Sequence, residues 1–143
     1  LICDQTIMHS LCQAAENGID VRIITPGIYD KKMVSWLTKD SYRPLLKSGV
    51  KIYEYTPGFV HAKVFVSDDD TATVGTINLD YRSLYLHFEC GAFIYNNAEV
   101  DKIERDFQQT LAKCHKVTIM DVKNRTIFTK ISGQVLRMIA PLM

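Results

Sequence analysis

HAKVFVSDDDTATVGTIN, which spans residues 61–78, is the stretch that decides how this chain folds. Residues 60–67 have the apolar alternation of a β-strand, the acidic run 68–70 is typical of a turn, and residues 71–74 begin a second strand. The stretch therefore predicts a strand, a turn and a strand in direct succession.

His61 and Lys63 lie two residues apart on the first of these strands. Side chains alternate along a strand, so His61, Lys63 and Phe65 share one face, and the first two are roughly 6–7 Å apart along it. A phosphate group fits between two such side chains. The imidazole can attack phosphorus while the ammonium group neutralises a non-bridging oxygen, so the pair predicts a phosphate-binding site.

Neutral hydrogen-bond donors follow the second strand. Asn78 can donate its amide to another phosphate oxygen, Thr76 offers a hydroxyl, and Gly75 lets the backbone come close. Asp68 is a poor nucleophile for a phosphodiester because two anions repel, so we expect a structural or orienting role for it.

Each of these residues also has an ordinary explanation. A single strand histidine is usually just hydrogen-bonded, an isolated Lys63 would lie at the surface, and the acidic run would be a solvated turn. The joint pattern favours the phosphate site, because five residue types at fixed spacing on a strand, turn and strand rarely coincide by chance.

Helical and strand patterns alternate in the first part of the chain, whereas the middle is strand after strand. Asp4 is placed to cap the first helix and Gly18 to end it. This mixture predicts an α/β fold with one mixed parallel and antiparallel sheet flanked by helices on both faces. We expect helices at 5–17, 31–47 and 98–115, strands at 20–25, 50–55, 60–67, 71–74 and 88–95, and an amphipathic helix in the tail 119–143.

Bulk composition is that of one ordinary domain. The 143 residues are 47% hydrophobic and 23% charged, with a formal net charge of +1, so nothing global indicates a polyanion partner. The four cysteines form no C-x-x-C pair, and Cys12 and Cys114 lie in apolar patterns where a free buried thiol is usual. A reducing compartment follows weakly. No apolar run approaches the roughly 18 residues that span a bilayer.

The motif of HxK, Asp and G[ST]xN resembles that of the phospholipase D superfamily, often called the HKD motif. The matching residues are His61, Lys63, Asp68, Gly75, Thr76 and Asn78. The run from Val50 to Ser83 is similar to the C-terminal half of bacterial cardiolipin synthases. So are HFE at 87–89, the Pro-Gly after the first strand and the closing IAPLM.

This resemblance implies a single phospholipase D-like domain over residues 1–143, the C-terminal catalytic half of a longer protein with two motifs. Glu89 holds the position of the carboxylate that orients the catalytic imidazole in this family. His87 stands where the family usually has Asn, and we interpret it as a neutral neighbour rather than a tuning residue. The motif threonine, Thr76, stands where the family more often has serine.

The chemistry implied by the resemblance is two-step phosphoryl transfer through a phosphohistidine. His61, Lys63, Asp68 and Glu89 are the expected catalytic residues, with Lys63, Thr76 and Asn78 on the phosphate. His61 can be the nucleophile or the general acid, and we favour the nucleophile. No metal or other cofactor is needed. The expected substrate is phosphatidylglycerol or another phospholipid, and the expected activity is that of a cardiolipin synthase.

Several alternatives stay open at this stage. The second motif lies upstream in the same polypeptide or comes from a homodimer mate. A phosphodiesterase or nuclease of the same superfamily, or an inactive half kept for assembly, are competing functions, although no basic groove indicates nucleic acid. The tail 119–143 closes the core or touches lipid. The resemblance places the parent protein at the cytoplasmic side of the cell membrane, with the 143-residue chain itself soluble.

Overall fold

The computed structural model describes residues 1–2, 4–29 and 32–123. Helices and strands alternate at first, and a run of three strands follows, as the sequence pattern predicts. The elements within these residues are α1 (Gln5–Glu16), β1 (Arg22–Pro26), α2 (Lys32–Lys47), β2 (Lys51–Tyr55), β3 (Val64–Ser67), β4 (Thr71–Gly75), a π-helix (Arg82–Leu86), β5 (Gly91–Tyr95), α3 (Ala98–Leu111), β6 (Cys114–Lys116) and α4 (Ile119–Lys123).

The described strands form two three-stranded sheets. In the first, β1 pairs in parallel with β2, and β6 adds to β2 in the antiparallel sense. In the second, β3, β4 and β5 are antiparallel in that order. The α/β class with a mixed sheet is confirmed, but β3, β4 and β5 lie outside that mixed sheet. The chain leaves β2 at the Thr56-Pro57-Gly58 turn and forms no strand before Val64, which separates the two ladders.

The predicted strand 60–67 begins later than expected. The regular strand starts at Val64, and His61 and Lys63 lie in the segment just before it. The Gly75 amide still donates to the Lys63 carbonyl at 3.1 Å. The β3–β4 ladder therefore continues one residue past β3, and Lys63 keeps the face that the alternation predicts.

The end of α3 differs from the sequence-based expectation. The predicted helix 98–115 ends at Leu111, and Cys114–Lys116 pair with Tyr53–Tyr55 of β2. The helical assignment of 112–115 was wrong because residues 114–116 gain backbone hydrogen bonds by pairing with the free edge of β2. Of the predicted tail helix 119–143, the structure describes α4 (Ile119–Lys123). The rest of that prediction lies outside the described residues.

One apolar core joins the helices to the first sheet. α1 and α2 contribute long side chains to it, and Leu45 of α2 and Ile52 of β2 are its most buried members. Helix α3 packs against strands of both sheets, so it ties the second sheet to the first. The buried members are Met8, Tyr42, Leu45, Val50, Ile52, Val117 and Val122.

A buried polar group of α2 closes the carboxyl ends of the parallel strands. The Tyr42 hydroxyl lies 2.7 Å from the Thr25 hydroxyl of β1 and donates to Glu54 of β2 at 3.1 Å. Lys39 neutralises Glu54 at 3.3 Å. Burial, with Tyr29 and Glu54 adding to it, raises the pKa of Tyr42, so the phenol keeps its proton and its donor role.

Asp4 links the start of the chain to the segment after Asn78. One carboxylate oxygen caps α1 by accepting from the Ile7 amide at 2.8 Å, and the other accepts from the Tyr85 hydroxyl. The Ile2 amide reinforces this link by donating to the Leu79 carbonyl at 2.9 Å. Asp4 is only 8% exposed while Tyr85 is 61% exposed, so the two hydrogen bonds are part-buried.

Replacing Asp4 with alanine should lower the free energy of unfolding by about 2 kcal/mol, because a helix cap and a second hydrogen bond are lost together. Asn97→Ala is the matched control, since exposed Asn97 caps α3 through the Glu99 amide alone. Urea unfolding followed by circular dichroism measures both. Equal losses would mean that the Tyr85 contact contributes nothing.

Acid should remove the advantage of Asp4 over asparagine. The Ile7 amide first, and then the Tyr85 hydroxyl, hold the pKa of Asp4 below its ordinary value. A depressed folded-state pKa gives stability that is present above the unfolded pKa of about 3.9 and is lost as the pH falls through the folded value. The stability gap between wild type and Asp4→Asn should therefore be constant near neutrality and shrink below about pH 4. A gap independent of pH would contradict this.

Candidate active site

The register of the second sheet builds the floor of the site. Gly75 of β4 pairs with Gly91 of β5, and the Gly75 amide bonds to the Lys63 carbonyl on the other side. Lys63 therefore stands in a cross-strand row whose other two members have no side chain. No side chain of β4 or β5 therefore stands beside Lys63 in this row.

Gly75 is required by close packing rather than by its backbone angles. A Cβ atom at this position would lie 2.6 Å from the Gly91 Cα and would also collide with the Cys90 carbonyl oxygen. A Cβ atom on Gly91, by contrast, would come no closer than 3.5 Å to the Val74 carbonyl oxygen. The two glycines of this row thus have different roles, and only Gly75 is irreplaceable.

Lys63 is half-buried and lies between acidic groups. Its ammonium group donates to the His61 carbonyl at 2.7 Å. Burial lowers the pKa of Lys63, while the nearby carboxylates of Glu89 and Asp80 act in the opposite direction. Lys63 thus offers one ammonium group to a phosphate oxygen, which has to compete for it with these two carboxylates.

His61 lies next to this cation with its ring in solvent. The ring stacks on Phe59, with centroids 5.6 Å apart and an angle of 29° between the planes. The side chain is exposed, so a substrate can reach it. The Phe59 contact restricts the ring, although no sequence signal pointed to Phe59 as its neighbour.

Thr76 and Glu89 are hydrogen-bonded partners across the end of the sheet. The Thr76 hydroxyl donates to the Glu89 carboxylate and accepts from the Cys90 amide at 3.1 Å. The Thr76 amide in turn donates to the Cys90 carbonyl at 2.9 Å. Thr76 first and Ser83 second lower the pKa of Glu89, and the positive charge of Lys63 adds to this. Glu89 is therefore held as a carboxylate.

Two residues that the sequence analysis left out of the site extend this cluster. Arg82 donates from its Nε to the His87 Nε2 at 2.6 Å, so that nitrogen of His87 acts as an acceptor. Ser83 adds a hydrogen bond to Glu89. Both residues lie in the π-helix that connects Asn78 to Glu89, and only its three-dimensional course brings them back to the site.

The fold brings only some of the predicted site residues close together. Lys63, Thr76 and Glu89 are close together with His61 beside them, and Asn78 is exposed in the following turn. Asp68 lies in the β3–β4 turn with φ of 56°, about 16 Å from Lys63 along the strand at 3.3 Å per residue. Glu89 bonds to Thr76, and a contact between Glu89 and the His61 imidazole stays a prediction.

Among the described residues, His, Cys, Asp and Glu side chains nowhere converge in groups of three or more that could hold a metal ion. Within residues 1–2, 4–29 and 32–123, no helix has the length and apolar character needed to cross a bilayer.

The family of the chain follows from its match to a known domain. Its fold is that of a phospholipase D-like domain, and residues 1–111 match the family described as cardiolipin synthase, PLD-like domain. The chain belongs to this family.

Named relatives agree with the family match. A cardiolipin synthase of Clostridium perfringens is 41% identical over 140 residues, which is 98% of this chain and 29% of the relative. A cardiolipin synthase of Geobacillus kaustophilus is 39% identical over 98% of this chain and 28% of its own length. A Streptococcus mutans protein without an assigned function is 52% identical over all of this chain and 31% of its own. The chain thus spans less than a third of these relatives.

Solved structures with the same fold are more distant in sequence. Nuc of Salmonella typhimurium, a phospholipase D family member, superimposes with a TM-score of 0.70 at 19% identity, covering 81% of this chain and 76% of that one. NucT of Helicobacter pylori gives a TM-score of 0.58 at 18% identity over 81% and 77%. At these identities the similarity concerns the fold alone.

Alanine at the two paired glycines should have unequal effects. Gly75→Ala forces β4 and β5 apart and should cost about 1–3 kcal/mol of stability, whereas Gly91→Ala meets only ordinary contacts and should cost much less. Urea midpoints of the two variants measure the difference. Similar midpoints would show that the Gly75–Gly91 approach is looser than the structure has it.

Proposed function

We propose that the protein containing this chain is a phosphatidyltransferase that makes cardiolipin from phosphatidylglycerol. Membership of the cardiolipin synthase family supports the substrate class. The observation that carries the proposal is the exposed side chain of His61 two residues from Lys63. The Lys63 ammonium group donates a hydrogen bond to the backbone carbonyl of His61. A nucleophile and a cation thereby share one surface site.

The proposed reaction has two balanced steps. In the first, an imidazole nitrogen of His61 forms a bond to phosphorus, and the bond from phosphorus to the glycerol oxygen of the headgroup breaks. The departing glycerol takes a proton from a second acidic group. In the second step, a hydroxyl of another phosphatidylglycerol gives up its proton and attacks phosphorus, and the nitrogen–phosphorus bond breaks. Two phosphatidylglycerol molecules thus yield one cardiolipin and one glycerol.

The other site residues have supporting roles in this proposal. Lys63 neutralises a non-bridging phosphate oxygen, and Thr76 and Asn78 donate hydrogen bonds to the same group. The Glu89 carboxylate orients the His61 ring when the site is assembled, which requires it to share or exchange its Thr76 partner. Asp68 has an orienting role at most, given its place in the distant turn.

The second acid is proposed to come from another copy of the motif. Because the chain spans 28–31% of the relatives it matches, an upstream motif in the same polypeptide is one source. A second copy of this chain, related by a two-fold axis, is the other source. In either case the proposed place of action is the cytoplasmic surface of the cell membrane, where phosphatidylglycerol is met.

Replacing His61 with glutamine in the complete protein should reduce cardiolipin formation by at least about 1,000-fold, because the nucleophile is removed while the polar surface is kept. His9→Gln is the control, since His9 is an exposed residue of α1. Lipid products are separated by thin-layer chromatography after incubation with phosphatidylglycerol.

Other products would select other functions. Phosphatidic acid in place of cardiolipin indicates water as the acceptor, and therefore a phosphodiesterase of the same superfamily. Unchanged turnover in His61→Gln would leave this region a scaffold and would reject the proposed chemistry.

A further inference from the structure

Three aromatic side chains stand exposed on one face of the second sheet. Phe65 on β3 is 41% exposed, and Phe93 and Tyr95 on β5 are 71% and 65% exposed. The register places Phe65, Thr73 and Phe93 in one cross-strand row and Ser67, Thr71 and Tyr95 in the next. We call the surface formed by these two rows the aromatic strip.

The aromatic strip continues the face that carries Lys63. Positions 63, 65 and 67 alternate on one side of the strand, so the three rows follow each other in the order Lys63, Phe65, Ser67. At about 3.3 Å per residue, the strip begins roughly 7 Å from the Lys63 row and its second row lies roughly 13 Å away. A ligand bound at Lys63 can therefore lie across the strip without leaving the face.

The shape and chemistry of the surface suit an apolar chain. Gly75 and Gly91, the cross-strand neighbours of Lys63, add no side chain to this face. The six members of the strip include no charged side chain, and its polar members are neutral hydroxyl residues. Aromatic and aliphatic groups give up water readily, whereas a charged ligand would gain no partner there.

The size of the aromatic strip favours a small apolar partner over a protein. The three rings together expose on the order of 350 Å², taking about 200 Å² for each full aromatic side chain. A stable protein interface buries about 800 Å² on each partner. A hydrocarbon chain needs only a narrow strip of this kind.

We propose that the aromatic strip binds the acyl portion of a phosphodiester lipid whose phosphate is held at Lys63. This inference rests on the proposed function and adds to it the surface that distinguishes a lipid from a water-soluble diester. Phe93 and Tyr95 are then specificity-determining residues, placed one and two rows away from the reacting phosphate.

The test compares two substrates in the complete protein. The double variant Phe93→Thr with Tyr95→Thr keeps good strand-forming residues on β5 while removing both rings. Its kcat/KM should fall by about 10-fold or more for dioleoyl phosphatidylglycerol and by less than about 2-fold for the water-soluble dibutyryl form. Ile19→Thr, at a 61% exposed residue outside both sheets, is the matched control and should change neither value.

Three results would overturn the proposal. Equal losses on both substrates would mean that the rings only support the fold or the site. Unchanged values on both would mean that the strip takes no part. A change in oligomeric state of the double variant on size-exclusion chromatography, with the preference between the two lipids kept, would assign the strip to a protein interface instead.

Failure of the proposed function can be recognised separately. If the wild-type protein forms no cardiolipin, equilibrium binding of the dioleoyl and dibutyryl lipids to the His61→Gln protein, with and without the double variant, replaces turnover as the measurement. A chain-length preference that disappears in the double variant supports the strip. Equal binding of both lipids to both proteins rejects it.

Discussion

The hydrogen bond from the Gly75 amide to the Lys63 carbonyl is the constraint on which the site depends. It extends the β3–β4 register by one residue beyond the regular strand, from Val64 to Lys63. A shift of one residue in this register would turn Lys63 and Phe65 to the opposite face of the sheet. Because Gly75 also needs the close approach of Gly91, the register is fixed from both neighbouring strands.

Carboxylates already surround the cation of the site before any substrate arrives. Lys63 lies among Glu89 and Asp80, and Glu89 in turn is stabilised as an anion chiefly by the Thr76 hydroxyl. A phosphate entering this group must compete with carboxylates for the single ammonium of Lys63. The Lys63 ammonium also donates to the uncharged His61 carbonyl, and an anionic phosphate oxygen can take the place of that acceptor.

The sequence predicted the elements with local signals and missed those that depend on distant partners. Asp4 caps the start of α1, and Gly18, with a positive φ of 91°, follows its end as expected. By contrast, Cys114–Lys116 form a strand because β2 has an unfilled edge, which no local pattern reveals. The family motif located Lys63, Thr76 and Glu89, but the Thr76–Glu89 pairing and the Arg82–His87 contact arise from the course of the π-helix between them.

The order of strands in the second sheet has a practical consequence. Within the described residues, β3 and β5 each pair with β4 on one side only, so their outer backbone amides and carbonyls face outward. The β5 segment GAFIY carries no charge and no proline that would discourage pairing with another molecule. We therefore expect the isolated chain to aggregate edge to edge at high concentration. The substitution Ala92→Lys places a positive charge on the edge strand β5 and should reduce this aggregation.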